Sequence, residues 1–115
     1  MKLVICEKPS VGAAIAAALG VTGRKNGYIE GNGYLISWCI GHLVAAAFPE
    51  EYDAKYSKWN YADLPIIPDN FKYKIYGDKQ KQFKVVKDLM CRKDVSAVIN
   101  ACDAGREGEL IFRLV

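Results

Sequence analysis

The sequence is that of a small globular protein of 115 residues, of which 51% are hydrophobic and 25% are charged. This length and composition predict one domain built around a single core. No run of about 18 apolar residues exists, and the apolar stretch at residues 1–6 is shorter than a secretion signal requires, so we expect a cytoplasmic, intracellular protein. The net charge of +3 permits a polyanionic partner but does not argue for one.

The first elements in chain order are a buried strand and a helix. Residues 2–6 form an apolar, β-rich run without alternation, which is typical of a strand covered on both faces in a parallel sheet. Pro9 and Ser10 then begin a helix with apolar residues four apart, and Gly20 ends it. Two β-rich runs at 28–30 and 34–40, punctuated by glycine, predict a β-hairpin.

The second half begins with a long loop over residues 47–70, which contains three prolines and scattered aromatic residues. We expect the aromatic side chains to pin this loop to the body of the protein. Residues 71–76 predict an edge strand, and Asp78 is expected to cap an amphipathic helix. A second buried strand is predicted at 95–102. A final helix from Glu109 has no stop signal, which predicts that the chain is a fragment of a longer protein.

Two acidic residues occupy equivalent places, since Glu7 and Asp103 each directly follow a predicted buried strand. In open α/β sheets, binding sites form beyond the carboxyl ends of the parallel strands, so we expect both carboxylates at one crevice. There they could hold Mg²⁺ together with water and phosphate oxygens, or one of them could donate a proton. Helix capping or simple solvation is the alternative for each residue.

Residues 103–109, Asp-Ala-Gly-Arg-Glu-Gly-Glu, place acids and an arginine between glycines. The Arg106 guanidinium is suited to binding a phosphate, and glycine lets the backbone approach a ligand closely. An ordinary strand-to-helix turn, with glutamates at the positive end of the helix, explains the same residues. Composition alone does not separate the two interpretations.

Other polar and thiol groups carry weaker indications. His42, the only histidine, could shuttle protons, but a turn histidine bonded to backbone is the more frequent arrangement. The lysines of the second predicted helix could contact DNA, although a solvated face is favoured. The seven tyrosines are interpreted as packing or surface aromatics. The four cysteines lack the paired spacing of a zinc site, so we expect reduced, buried thiols.

Two motifs together indicate a family. Glu-Lys-Pro-Ser at residues 7–10 follows one predicted strand, and Asp-x-x-Arg-Glu-Gly-Glu at residues 103–109 follows another. This pair resembles the Toprim domain of type IA DNA topoisomerases, in particular the topoisomerase III branch, over essentially the whole chain. The resemblance implies an α/β fold with a Rossmann-like, parallel-rich sheet flanked by helices and an added β-hairpin. Residues 1–115 would form a single Toprim domain without the cleavage and strand-passage domains.

The same resemblance implies an activity. Type IA enzymes change DNA topology without ATP, because a tyrosine cleaves one DNA strand, another strand passes, and the break is resealed. That tyrosine belongs to a different domain of the family, so this chain alone is expected to be inactive. The implied partners are single-stranded DNA and the remaining domains of the enzyme, and the implied location is the nucleoid.

The resemblance also implies residue roles. Glu7 and Lys8 would be catalytic, with Glu7 as general acid or base at the phosphodiester and Lys8 holding the phosphate. Glu7, Asp103 and Glu107 would bind Mg²⁺, while Lys8 and Arg106 would contact DNA. Gly105 occupies the position of the second acid in the family's Asp-x-Asp-x-Glu motif, which weakens the metal assignment.

Two other functions stay open. One is another Toprim enzyme such as a primase or nuclease, although Glu-Lys-Pro-Ser argues against it because those relatives typically carry glycine soon after the glutamate. The other is a non-catalytic α/β module that binds phosphate or nucleic acid and whose acids are structural. Gly105 is the residue that most favours this second alternative.

Overall fold

The structure, a computed structural model, describes residues 1–115. Its strands are β1 (Lys2–Cys6), β2 (Gly23–Lys25), β3 (Tyr28–Gly31), β4 (Tyr34–Trp38), β5 (Val44–Ala46), β6 (Tyr73–Ile75) and β7 (Ala97–Ala101). Its helices are α1 (Pro9–Ala18), α2 (Gln80–Met90) and α3 (Arg106–Leu114). None of these helices has the length and hydrophobicity needed to cross a membrane.

Five strands form the central sheet in the order β2-β3-β4-β1-β7. β1 pairs in parallel with β4 on one side and β7 on the other, whereas β3 pairs antiparallel with both β2 and β4. The hairpin turn between β3 and β4 is Asn32-Gly33, with φ values of 53° and 81°, the left-handed conformations that a two-residue turn requires. The predicted α/β class and the added hairpin are therefore confirmed.

The side chains of β1 alternate between two hydrophobic clusters, one on each face of the sheet. Leu3 and Ile5 pack with residues of α2 and α3, whereas Val4 and Cys6 pack with residues of α1. All four residues are buried. This arrangement confirms helices on both faces of the sheet and makes β1 an interior strand that is covered on both faces.

β7 differs from the prediction of a second buried strand. It lies at the edge of the sheet and pairs only with β1, and the side chains of Val98 and Ile99 are exposed. Its Val- and Ile-rich composition suggested burial on both faces. Burial depends on what packs beside a strand, however, and no second strand pairs with the outer edge of β7.

The long loop is anchored to the residues at the start of β6, where Lys74 also lies 3.6 Å from the centre of the Phe48 ring. The Lys72 N–H donates a hydrogen bond to the Tyr52 hydroxyl at 2.6 Å, as expected for a pinning aromatic residue. Trp59 and Tyr61, by contrast, are 96% and 91% exposed and pin nothing. The predicted edge strand is β6, which pairs with β5 in a separate two-stranded sheet. The loop between them contains three short 3₁₀ turns, Pro49–Glu51, Ala54–Ser57 and Tyr61–Asp63.

The end of α1 matches the prediction, whereas the starts of α2 and α3 and the burial of Cys91 differ from it. Gly20 ends α1 in the left-handed conformation, as predicted. Asp78 does not cap α2, because it lies within a preceding 3₁₀ turn and Lys79 holds the N-cap position. α3 begins at Arg106, three residues before the predicted start. No disulfide links the cysteines, but Cys91 is exposed rather than buried.

A buried amide fastens α2 to the hairpin. The Gln82 side-chain amide donates hydrogen bonds to the carbonyl oxygens of Gly27 at 3.1 Å and Trp38 at 2.8 Å, and to the Ser37 hydroxyl at 3.2 Å. Gly27 has no room for a side chain, since an added Cβ would lie 2.9 Å from the Gln82 amide oxygen. This network fixes the end of β4, which lies beside the end of β1.

Replacing Gln82 with Leu should therefore destabilise the protein by about 1–3 kcal/mol, because the Trp38 carbonyl oxygen and the Ser37 hydroxyl lose the amide donor. Urea unfolding would measure the free energy of unfolding. Gln80→Leu, the same replacement at an exposed position of α2, is the matched control and should change stability by less than about 0.5 kcal/mol. Equal effects of the two variants would contradict this role of the network.

Candidate active site

The carboxyl ends of β1 and β7 bring the two predicted acids together. Cys6 pairs with Ala101 in the parallel register, so Glu7 leaves β1 at the level at which Cys102 leaves β7. Glu7 and Asp103 line one open cleft of about 620 Å³, together with Arg106 and Glu107. The structure thus places all four of these predicted residues at one edge of the sheet.

Burial and nearby carboxylates raise the pKa values of two thiols, Cys102 and Cys39. Burial, followed by the charges of Glu7 and Asp103, raises the pKa of Cys102 to about 11. Burial also raises the pKa of Cys39 to about 12, with smaller contributions from the other thiols and Glu7. Both thiols are therefore protonated at neutral pH, where a thiol is a weak nucleophile.

Lys8 lies at the junction of β1 and α1. Its backbone is extended, with φ −151° and ψ 159°, and it occupies the N-cap position of α1 without a side-chain hydrogen bond to the helix. The side chain of Lys8 is exposed and joins none of the ion pairs of the structure. The positive end of α1 and a free ammonium group thus lie directly after Glu7, an arrangement that favours an anion.

Arg106 lies at the other side of the cleft, at the first position of α3. Its guanidinium is also exposed and joins no ion pair. Because Lys8 and Arg106 are the cations nearest in sequence to the two acids and neither is neutralised by a partner, both are available to a phosphate.

The two glycines of the second motif have different roles. A Cβ added at Gly108 would lie 2.1 Å from the carbonyl oxygen of Asp103, so glycine is required there for α3 to pack against the end of β7. Gly105 is the N-cap of α3 with an extended φ of −134°, and an added Cβ would meet nothing within 4 Å. The missing second acid is therefore not excluded by space or by backbone conformation.

The two glutamates of α3 face different cavities and have different partners. Glu109 accepts hydrogen bonds from Asn100 at 2.9 Å and from Arg113 at 2.7 Å, and it lines a neighbouring cavity of about 700 Å³. Glu107 lines the cleft that contains Glu7 and accepts a hydrogen bond from Nε2 of His42. Only the second of these glutamates therefore shares the cleft with Glu7.

The contact of His42 was not predicted. A bond from its ring to backbone was expected, but the ring binds the Glu107 carboxylate instead. The two residues are 65 positions apart, and only the parallel placement of β4, β1 and β7 brings the turn after β4 to the start of α3. The glycine-histidine pair directly after a predicted strand was the only signal in the sequence.

The donor set of the cleft fits a hard divalent cation in part. Carboxylate oxygens are the side-chain ligands that Mg²⁺ prefers, and the ion commonly takes one or two of them with water and phosphate. No group of three His, Cys, Asp or Glu side chains is close enough to hold a metal ion. The residues present thus fit Mg²⁺ bound through one or two carboxylates. The full ligand set of Glu7, Asp103 and Glu107 stays a prediction.

The chain is similar to one protein family and to a group of named relatives. A family model described as "Toprim domain" matches residues 2–115. The chain is 50% identical over 113 residues to proteins named DNA topoisomerase 3 from Staphylococcus epidermidis, Staphylococcus haemolyticus and Bacillus cereus. Each match covers 98% of this chain but 16% of the relative, so the chain spans about one sixth of the length of these curated relatives.

Proposed function

The chain belongs to the Toprim domain family, and on that premise we propose that it is the Toprim part of a type IA DNA topoisomerase of the topoisomerase III kind. The observation that carries the proposal is the shared cleft of Glu7, Asp103 and Arg106 at the ends of two parallel strands. The 50% identity to proteins named DNA topoisomerase 3 supports the same assignment. In this role the ligand is single-stranded DNA, and the place of action is the nucleoid.

We further infer that residues 1–115 act as one domain within such an enzyme. β1 contributes side chains to both hydrophobic clusters, so the same strand connects the cores on the two faces of the sheet. The nucleophilic tyrosine, the DNA gate and the strand-passage region belong to other domains of the enzyme. This chain by itself is therefore expected to bind DNA weakly and to leave it uncleaved.

Glu7 is the proton-transfer residue of the proposed reaction. When the tyrosine of another domain attacks the phosphorus, its phenolic proton passes to solvent, the bond from phosphorus to the 3′-oxygen breaks, and that oxygen needs a proton. Glu7 donates this proton during cleavage and takes it back during religation, so it serves as general acid and then as general base. Its place directly after the most buried strand fixes the backbone from which the carboxyl group lines the cleft.

Lys8 and Arg106 bind the phosphate in this proposal. Both side chains are exposed and join no ion pair. Arg106 lines the cleft at the start of α3, and Lys8 directly follows Glu7 at the start of α1. Two cations on opposite sides of a phosphodiester fix its orientation and stabilise the negative charge that grows in the transition state. Lys8, which directly follows Glu7, would also help to keep the reacting oxygen near that carboxyl group.

Asp103 and Glu7, with Glu107 as a third candidate, are the residues that would hold Mg²⁺. Bound there, the ion would neutralise phosphate charge and orient the DNA backbone. The protein side chains would set its position, with water and phosphate oxygens completing the coordination.

A non-catalytic module that binds phosphate is the second candidate function. Gly105 and the lack of a three-residue metal cluster favour it. Under this alternative, Lys8 and Arg106 would still attract DNA, but the acids would have no ion to bind. A Mg²⁺ titration therefore distinguishes the two candidates.

A chimeric enzyme tests the proposed function. The 113 residues of this chain that match the Bacillus cereus DNA topoisomerase 3 would replace the corresponding region of that enzyme. We expect the chimera to relax negatively supercoiled DNA in the presence of Mg²⁺. A chimera that folds, as judged by circular dichroism and a cooperative thermal transition, but that does not relax DNA would count against the proposal.

Restoring the second acid should strengthen metal binding. Gly105→Asp places a carboxylate at an open position whose extended backbone suits any residue, and Asp is also a preferred N-cap for α3. We expect Mg²⁺ affinity to rise about tenfold, measured by NMR titration, with little change in stability. Gly105→Asn, which adds the same volume without the charge, is the control and should bind Mg²⁺ more weakly than the Asp variant.

A further inference from the structure

The turn that follows β4 contacts both halves of the cleft. Within it, the Gly41 N–H donates a hydrogen bond to the Glu7 carbonyl oxygen at 3.3 Å, and Gly41 takes the left-handed φ of 61°. The next residue, His42, directs its ring to Glu107 at the start of α3. One short turn thus joins the backbone of one acid to the side chain of another.

His42 is the anchored partner of its pair. Its side chain is 28% exposed, whereas that of Glu107 is 69% exposed. The carbonyl oxygen of His42 also accepts a hydrogen bond from the Lys79 ammonium at 3.0 Å, which ties the turn to the segment before α2. Without His42, nothing else in the structure bonds the Glu107 side chain. The exposed carboxylate would then sample several rotamers.

The chemistry of the pair leaves Glu107 available. An ionised carboxylate only accepts hydrogen bonds, so Nε2 of His42 carries the proton that it donates to Oε1. The other oxygen, Oε2, has no partner in the structure and is free for a ligand in the cleft. Carboxylates that bind metals are commonly held by such a supporting hydrogen bond.

We propose that His42 is a positioning residue that holds Glu107 in the cleft, so that its free oxygen contributes to binding of Mg²⁺ or of its bound water. This inference deepens the proposed function and rests on its metal site. His42 itself touches no reacting atom. His42 acts by holding Glu107. The hydrogen bond from the Lys79 ammonium to the His42 carbonyl oxygen keeps the turn in place.

The pairing can be measured first without metal. His42 is the only histidine of the chain, so its ring nitrogens give unambiguous signals in a long-range ¹H–¹⁵N spectrum. We expect the proton on Nε2 in the unaltered chain, and a changed ring spectrum in Glu107→Gln. An unchanged spectrum would show that the two side chains are not paired and would overturn the proposal.

Mg²⁺ titration of the 115-residue chain, followed by amide chemical shifts at one fixed neutral pH, tests the consequence. His42→Ala should weaken Mg²⁺ binding about tenfold, the loss expected when a supporting hydrogen bond of a metal ligand is removed. His42→Gln, which keeps an N–H donor, should recover most of the affinity. The matched control is Arg113→Ala, which removes one of the two hydrogen bonds to Glu109 on the same helix and should leave the affinity unchanged.

A double-mutant cycle separates positioning from a general structural effect. If His42 acts only through Glu107, His42→Ala should cause no further loss of Mg²⁺ affinity in a Glu107→Gln background. Additive losses, equal affinities of the Ala and Gln variants, or an unchanged or tighter affinity in His42→Ala would overturn the proposal. If the unaltered chain itself shows no response to Mg²⁺, the metal assignment of the proposed function fails, and the role of His42 in metal binding fails with it.

Discussion

Glu7→Gln in the chimeric enzyme should lower the rate of DNA relaxation by about 10²- to 10⁴-fold, the range expected when a general acid–base is removed. The amide has nearly the same shape as the carboxyl group but cannot give a proton to the leaving oxygen or take it back. Because Glu7 follows the last residue of β1 rather than lying inside the strand, the fold should persist. Relaxation assays and cleavage of a labelled oligonucleotide would measure the rate.

Glu50→Gln is the matched control for this prediction. Glu50 is an exposed glutamate of the long loop and joins none of the ion pairs, so its replacement should leave the rate unchanged. A Glu7→Gln chimera that cleaves and reseals DNA as fast as the unaltered chimera would remove Glu7 from the proton transfer. Slow cleavage with unchanged DNA affinity is the pattern that supports a chemical role.

Asp103→Asn should abolish or weaken Mg²⁺ binding by the 115-residue chain, by at least about tenfold. Even the loss of a supporting group around a metal ligand typically has that effect, and Asp103 would be a ligand itself. In the unaltered chain, Mg²⁺ should shift the amide signals of Glu7, Asp103 and Gly105 together, because these residues line one cleft. In the variant these shifts should disappear at the same metal concentration.

Asp88→Asn provides the control for that titration. Asp88 forms an exposed ion pair with Lys84 on α2, far in sequence from the cleft, and such pairs contribute little to stability. If both variants bind Mg²⁺ as the unaltered chain does, Asp103 is not a ligand. If no form of the chain binds Mg²⁺ while an oligonucleotide still shifts the signals of Lys8 and Arg106, the phosphate-binding module is the better assignment.

Local patterns predicted the elements that local forces determine. The apolar run of β1, the glycine stop of α1 and the Asn32-Gly33 turn each follow from the conformational preferences of a few adjacent residues. The convergence of Glu7 and Asp103 also followed, because parallel strands end at the same edge of a sheet. Together, these features predict the position of the candidate cleft.

Features that depend on distant neighbours were not predictable in this way. The exposure of β7 depends on the absence of a strand beside it, and Val-rich composition carries no information on that point. Asp78 has the side chain of a helix cap, but a 3₁₀ turn moves the start of α2 beyond it. The bond from His42 to Glu107 requires three strands in the correct order.

The edge position of β7 divides the candidate site into a stable half and a labile half. β1 is hydrogen-bonded on both sides, so its amides should exchange with solvent only when the whole protein unfolds, whereas β7 is held by one ladder and can open with α3 in a smaller fluctuation. Such an opening would carry Asp103 and Glu107 away from Glu7. A ligand that contacts both halves therefore favours the conformation in which β7 stays paired with β1. Its binding should slow amide exchange in β7.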